Sequence, residues 1–266
     1  MKNNFKIFNI VFFVTFGLFS IDAFSQREIR VADQMYKKRL LRRLDLREKA
    51  NKPMFSEQRW ITKVMLEAFT SGQLIAYRND SLTSTQTQEE VDAVLSKQMA
   101  VAEDTLAQQL SDDSWGDDST AAEAPTGPEK FFPKDLDQLE LTEDIIFDKQ
   151  HSRMYFNILS LTLIIPASKN EAGIDKPVCT FDYKELAAVF ADKEKAEWYN
   201  RENDAMHLSL KDAFDLRLFS SFIIMISNAK AERLVDKYGG DERVAIRSAD
   251  WVKQQLVEYE HHLWSL

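Results

Sequence analysis

Apolar positions change their period along the chain, and each change predicts an element. Trp60, Ile61, Val64, Met65, Ala68 and Phe69 recur at three and four, which predicts a helix capped by Ser56 and ended by a left-handed Gly72. "LIAYRND" then reads as a short strand, and residues 83–110, polar with scattered aliphatics, as a weak helix. Two longer stretches, "DLDQLELTEDIIFD" and "RMYFNILSLTLIIPA", read as strands joined by a turn at Lys149–Ser152. In the second, alternation places Tyr155, Leu159, Leu161, Leu163 and Ile165 on one face and Phe156, Ile158 and Ile164 on the other, a strand buried on both sides that Pro166 ends.

Two short helices carry their own start signals: Asp182 with Glu185 in "FDYKELAAVF", and Ser209 with Asp212 in "SLKDAFD", each in capping-box spacing. Residues 216–228, "LRLFSSFIIMISN", read as a further strand. After the Gly239–Gly240 turn, Asp241 opens a terminal helix in which Ala245, Ala249, Val252, Leu256, Tyr259 and Leu263 step by four and three. The predicted class is α+β: an N-terminal helical arm, a small helical and strand region, an acidic flexible linker, and a C-terminal antiparallel or mixed sheet with packed helices.

Segment composition sets the boundaries. Lys2 and Lys6 precede an apolar run, Ile7 to Ile21, and "AFS" follows, which predicts a secretory signal over residues 1–25 cleaved between Ser25 and Gln26. The run is shorter than the roughly 20 apolar residues of a spanning helix, so export of a released chain to the periplasm is expected. Residues 26–52 form a basic arm and residues 53–110 an N-terminal α+β region. From 111 to 130, "SDDSWGDDSTAAEAPTGPEK" holds too little apolar surface to offset the entropy of ordering and reads as a flexible linker, with Trp115 a minor candidate anchor. Residues 131–266 form the C-terminal domain.

Charge alters the reading of the arm. The whole chain carries 34 Lys and Arg against 43 Asp and Glu, a net charge of -9, which argues against nucleic-acid binding through its general field. Residues 26–52 instead hold ten basic residues against four acids, a net of +6. With Ile29, Ala32, Tyr36, Leu40 and Leu44 at spacings of three and four, a helix there has a narrow apolar stripe and a broad cationic face. Such a helix either docks on a partner or covers the chain's own core. Lys38, Arg39, Arg42, Arg43 and Arg47 are the candidate partner-binding residues, joined by Trp264 near the C-terminus. On this reading, reversing Arg39, Arg42 and Arg43 to Glu leaves folding intact and weakens assembly.

Catalytic chemistry is sparse. Asp148, Lys149, His151 and Arg153 bring together acid, base and imidazole, but at a turn, where charged residues are ordinarily solvated. His261 and His262 are adjacent on a helix and point about 100° apart, so they do not share one metal. His207 has Asp204 nearby and no third ligand at a recognisable spacing. Cys179, the sole cysteine, has no internal disulfide partner and no basic neighbour, and reads as a small buried hydrophobe. The expectation is a non-enzymatic chain with no metal and no cofactor.

Long blocks then carry a family likeness. "REIRVADQMYKKRLLRRLDLREKANKPMF", "TKVMLEAFTSGQLIAYRNDSLTS", "DDSWGDD", "FFPKDLDQLELTEDIIFDKQHSRMYF", "KDAFDLRLFSSFIIMISN" and "VDKYGGDERVAIRSADWVKQQLVEYEHHLWSL" together resemble the GldN/PorN family of Bacteroidetes gliding motility and type IX secretion. The likeness spans nearly the whole chain beyond the signal, and none of its blocks is a catalytic motif. It implies a structural periplasmic component at the inner face of the outer membrane. That component self-associates in a ring with the outer-membrane lipoprotein of the GldK/PorK family and contacts the shaft protein of the GldM/PorM family. Two other classes stay open on the residues alone: a periplasmic ligand-binding protein or hydrolase with a site between sheet and terminal helix, and a membrane-surface binder acting through the basic arm.

Overall fold

The structure, a computed structural model, describes residues 29–56, 59–96, 130–170, 173–238, 240 and 242–264. The predicted cleavage site at Ser25 and Gln26, and the acidic stretch with Trp115, lie outside these residues. Contacts divide the chain into two units, Met1–Val31 and Ala32–Leu266, and the fold described is that of the second.

Its centre is a hairpin of the two longest apolar runs. Strands β4 (Gln138–Asp148) and β5 (Arg153–Ile165) pair antiparallel, and Ser152 takes a left-handed φ of 50° in the turn between them. Strand β6 (Lys176–Asp182) pairs on the far side of β5, followed by the two-residue strands β2 (Ala76–Tyr77) and β3 (Thr85–Gln86). On the other flank, β1 (Gln34–Asp45) pairs with β4, and β9 (Phe222–Ile226) closes the edge. The seven-stranded order is β3-β2-β6-β5-β4-β1-β9, antiparallel throughout, beside a two-stranded ribbon of β7 (Glu197–Trp198) and β8 (Leu208–Ser209). The chain is thus α+β, as its pattern predicts.

The helical arm is corrected. Residues 34–45 form a twelve-residue strand inside the sheet, with β4 on one side and β9 on the other. Tyr36, Leu40 and Leu44 are four apart, a spacing that fits one face of a helix and one face of a strand equally well. Lys, Arg and Leu favour helix locally, but β4 and β9 each need a partner for their backbone groups, and tertiary pairing outweighs propensities worth a few tenths of a kcal/mol per residue. The strand after residue 216 is shorter than its apolar run predicts, beginning at Phe222.

A second correction concerns β5. The register skips Leu159 between Ile158 and Ser160, opposite Glu143 and Thr142, and this bulge exchanges the two faces. Ile158 therefore joins Leu161, Leu163 and Ile165 in the main core, a regrouping that strict alternation does not foresee.

That core lies between the sheet and four helices: α1 (Ile61–Thr70), α2 (Gln88–Leu95), α3 (Tyr183–Phe190) and α4 (Leu210–Asp215). Helix α1 starts after Trp60, not at Ser56, and stops where Gly72 takes φ 76°. Helix α2 has a capping box of Thr87 and Glu90 and is the helix found in the described part of the polar stretch 83–110, whose residues beyond 96 lie outside the described residues. Asp182 and Ser209 cap α3 and α4 by accepting from the backbone N–H groups of Lys184 and Asp212, both at 3.0 Å. Phe190 stacks on Phe214 at 5.8 Å between the last two helices.

A smaller core joins Leu40, Ile145 and Ile223 of the sheet to Leu234 of α5 (Leu234–Lys237) and to Ala249 and Val252 of α6 (Glu242–Trp264). Ala245 and Leu263 are also buried, so the predicted stripe of the terminal helix is its inner face.

Candidate interaction surfaces

Strand β1 threads both cores. Leu44 belongs to the larger and Leu40 to the smaller, and Arg42 lies between them on the same face of the strand. Arg42 is 9% exposed and pairs with the fully buried Glu143. The other Glu143 oxygen accepts from Arg217 Nη1 at 2.7 Å. Arg217 directly follows the C-cap of α4 with φ 54°, a position where glycine is usual. Its guanidinium lies over Phe156 at 4.5 Å and Phe219 at 5.2 Å. An isolated carboxylate at this depth is prohibitively costly, so the two arginines are what allow Glu143 to be buried as an ion.

The remaining candidate cations of the arm are also engaged within the chain, with one exception. Arg43 pairs with Glu140 at 2.7 Å and with Asp175, and Arg233 reaches the same Glu140 at 3.6 Å. Arg39 grips Asp144 through two bonds, at 2.9 and 3.3 Å, with Lys37 adding a third at 3.3 Å. Arg47, about half exposed, pairs with Asp45 at 3.0 Å and lies 3.4 Å from Asp137. Lys38 is exposed and makes no ion pair among the described residues. The cationic surface of the arm is therefore Lys38 with parts of Lys37, Arg39 and Arg47, while Arg42 and Arg43 hold the fold together. Cross-strand acids on β4 are the signal that a helix reading hides.

Burial pulls the Asp144 carboxyl up, but the hydrogen bonds and charges of Arg39 and Lys37 outweigh it and hold the group below its ordinary value of 3.8. A depressed folded pKa means that the unfolded chain takes up the proton first, so this contribution is present above pH 3.8 and is lost as pH falls through the folded value. Asp144→Asn is expected to lower stability at neutral pH, with the gap from wild type closing as pH falls below about 4. Urea unfolding across that range reads the gap, and a gap constant with pH contradicts the assignment.

Helix α6 presents a different surface. Ile246, Trp251, Val257 and Trp264 are each about half exposed, on flanks away from the inner stripe. Tyr259 turns inward to pack on Tyr36 at 4.8 Å, and the His261 ring meets Trp264 at 5.9 Å. Of the three large aromatics on α6, Tyr259 packs on the sheet, while Trp251 and Trp264 are exposed. Large aromatics half exposed on one helix are the side chains most enriched at protein interfaces.

Of the titratable groups singled out in the sequence, Asp148, His151 and His207 are engaged in local contacts. His151 Nδ1 lies 2.6 Å from Asp148 Oδ2, and the other oxygen accepts from the Gln150 backbone N–H at 2.9 Å, so the carboxylate braces the β4–β5 turn. Asp148 is nearly fully buried by its neighbours, not the solvated turn residue its position suggests. His207 Nδ1 accepts from the Asn200 backbone N–H at 3.1 Å, and its ring stacks on Tyr199 at 4.9 Å. Among the described residues there is no group of three metal-ligating side chains, and no helix is long and apolar enough to cross a membrane.

Burial pushes the Cys179 thiol up to about 12. The native chain at pH 8 is therefore expected to leave a thiol reagent unreacted until denaturant is added, and Cys179→Ala to cost about 1 kcal/mol. Rapid native labelling contradicts this.

No curated protein matches the chain. The family model described as "Gliding motility associated protein GldN" matches residues 29–265. That span takes in every strand and helix of the sheet, both cores and the ionic seam between them, and on it the chain belongs to the GldN family of gliding motility associated proteins.

Proposed function

We propose that the chain is a structural subunit of the type IX secretion and gliding machinery. It is exported to the periplasm and assembles at the inner face of the outer membrane. There it forms a ring with a lipoprotein of the GldK/PorK family, and the GldM/PorM-family shaft is a further contact. The observation that carries this reading is the family match over residues 29–265.

Its physical support is the pairing of two properties. The core is braced by ions whose partners lie within the chain, as suits a rigid building block. Helix α6 carries Ile246, Trp251 and Trp264 outward, which costs solubility unless a neighbour covers them. A ring needs two unlike surfaces on each subunit, and the helix supplies one of them. Co-purification of the tagged, exported chain from outer-membrane fractions tests the reading. The lipoprotein is expected in near-equal amount, and a chain recovered alone in the soluble fraction contradicts it.

A further inference from the structure

Between α6 and the sheet runs a groove of about 560 Å³. Met154 and Phe156 of β5 line it together with Leu256 and Val257 of α6, and Arg217 and Lys253 reach it as well. Phe156 and Val257 are 37% and 49% exposed, so these apolar walls are open to solvent.

Its charge runs against that of the chain. Arg42 and Arg217 share a single carboxylate, Glu143, and Lys253 and Glu260 also line the groove, which leaves three cations against two anions in a protein of net charge -9. Arg217 retains 29% exposure of its side chain, so the surplus charge is presented to the groove. The residue also sits in a left-handed conformation that costs about 1 kcal/mol in a non-glycine, so the position secures an arginine where a bare helix stop would use glycine. The opposite wall is fixed in advance. The buried Asn51 amide donates to the Ser220 carbonyl at 2.9 Å and accepts from its N–H at 2.8 Å. A wall already ordered reduces the entropy that binding must overcome.

We propose that this groove docks a short segment of another protein in which a carboxylate stands among apolar side chains. The apolar part packs on Phe156, Leu256 and Val257, and the carboxylate meets Arg217 and Lys253. Arg217 already gives one N–H from each Nη to Glu143, and the remaining N–H groups of a partly desolvated guanidinium beside aromatic rings favour a carboxylate over a neutral amide, because the charge acts in a setting with little competing water. A basic segment is disfavoured by the same surplus, and a purely apolar one leaves it uncompensated. The inference stands apart from ring formation, which imaging reads separately.

The test uses the mature chain and two fluorescein-labelled peptides, one alternating Asp with Leu and Trp, the other carrying Asn at each Asp. Fluorescence anisotropy is expected to show micromolar binding of the acidic peptide, about tenfold tighter than its amide counterpart and weakened by added salt. Val257→Glu with Lys253→Glu changes two exposed positions, so the fold should hold by circular dichroism while affinity falls about tenfold or more. Equal affinity for the two peptides overturns the proposal. So does binding that survives in the variant, or none detected up to about 1 mM. Sedimentation distinguishes a second copy as the occupant: a wild-type chain whose mass drops to monomer in the variant also overturns it.

Discussion

Glu143→Ala is expected to cost about 3–5 kcal/mol, the largest loss of any single substitution in the ionic seam. Removing this carboxylate leaves the Arg42 guanidinium between two hydrophobic cores with no counter-ion, and takes the bidentate partner from Arg217 at the same time. Arg42→Met should cost less, because the methionine stem fills the same space and Arg217 still neutralises Glu143. Arg217→Gln should cost least, since that side chain is the most exposed of the three. The combined reversal Arg39→Glu, Arg42→Glu, Arg43→Glu sets new carboxylates against Asp144, Glu143 and Glu140, and is expected to abolish folding. Urea unfolding monitored by circular dichroism gives the order. A triple variant that melts like wild type contradicts the placement of β1 in the sheet.

The second large effect is at the other end of the chain. Truncation after Glu258 deletes the end of α6, and with it the buried Leu263, the Tyr259 ring that packs on Tyr36, and the exposed Trp264. Losing a buried leucine and a ring contact is expected to cost about 3–5 kcal/mol, and the truncated chain should also fail to assemble. The paired variant Trp251→Glu, Trp264→Glu separates the two effects, because both rings face away from the core. It should keep the wild-type melting temperature and lose assembly. Retained assembly in that variant removes the helix from the interface.

Much of this architecture is legible in the sequence, and where it is not the reason is physical. The β4–β5 hairpin, α3, α4 and α6 announce themselves, because period and capping residues agree with the tertiary outcome. Strand β1 does not. Leucines at multiples of four fit two periods, and the acids that decide between them, Glu140, Glu143 and Asp144, lie about a hundred residues away. Long-range ion pairing of this kind has no local trace. The same blindness affects the interaction surface: Arg42 and Arg43 look like part of a docking face only until their partners are known. A bulge at Leu159 likewise leaves no mark in an alternating run, although it moves Ile158 into the main core. Of the proposed contacts, Trp264 and Lys38 keep their exposure, together with parts of Arg39 and Arg47.

That the chain builds a ring is tested most directly by electron microscopy of the purified mature chain with and without the GldK/PorK-family lipoprotein. Closed rings of uniform diameter are expected when both are present, and no rings when the lipoprotein is mixed with the Trp251→Glu, Trp264→Glu variant. Wild-type chain and lipoprotein that stay separate single particles contradict the account.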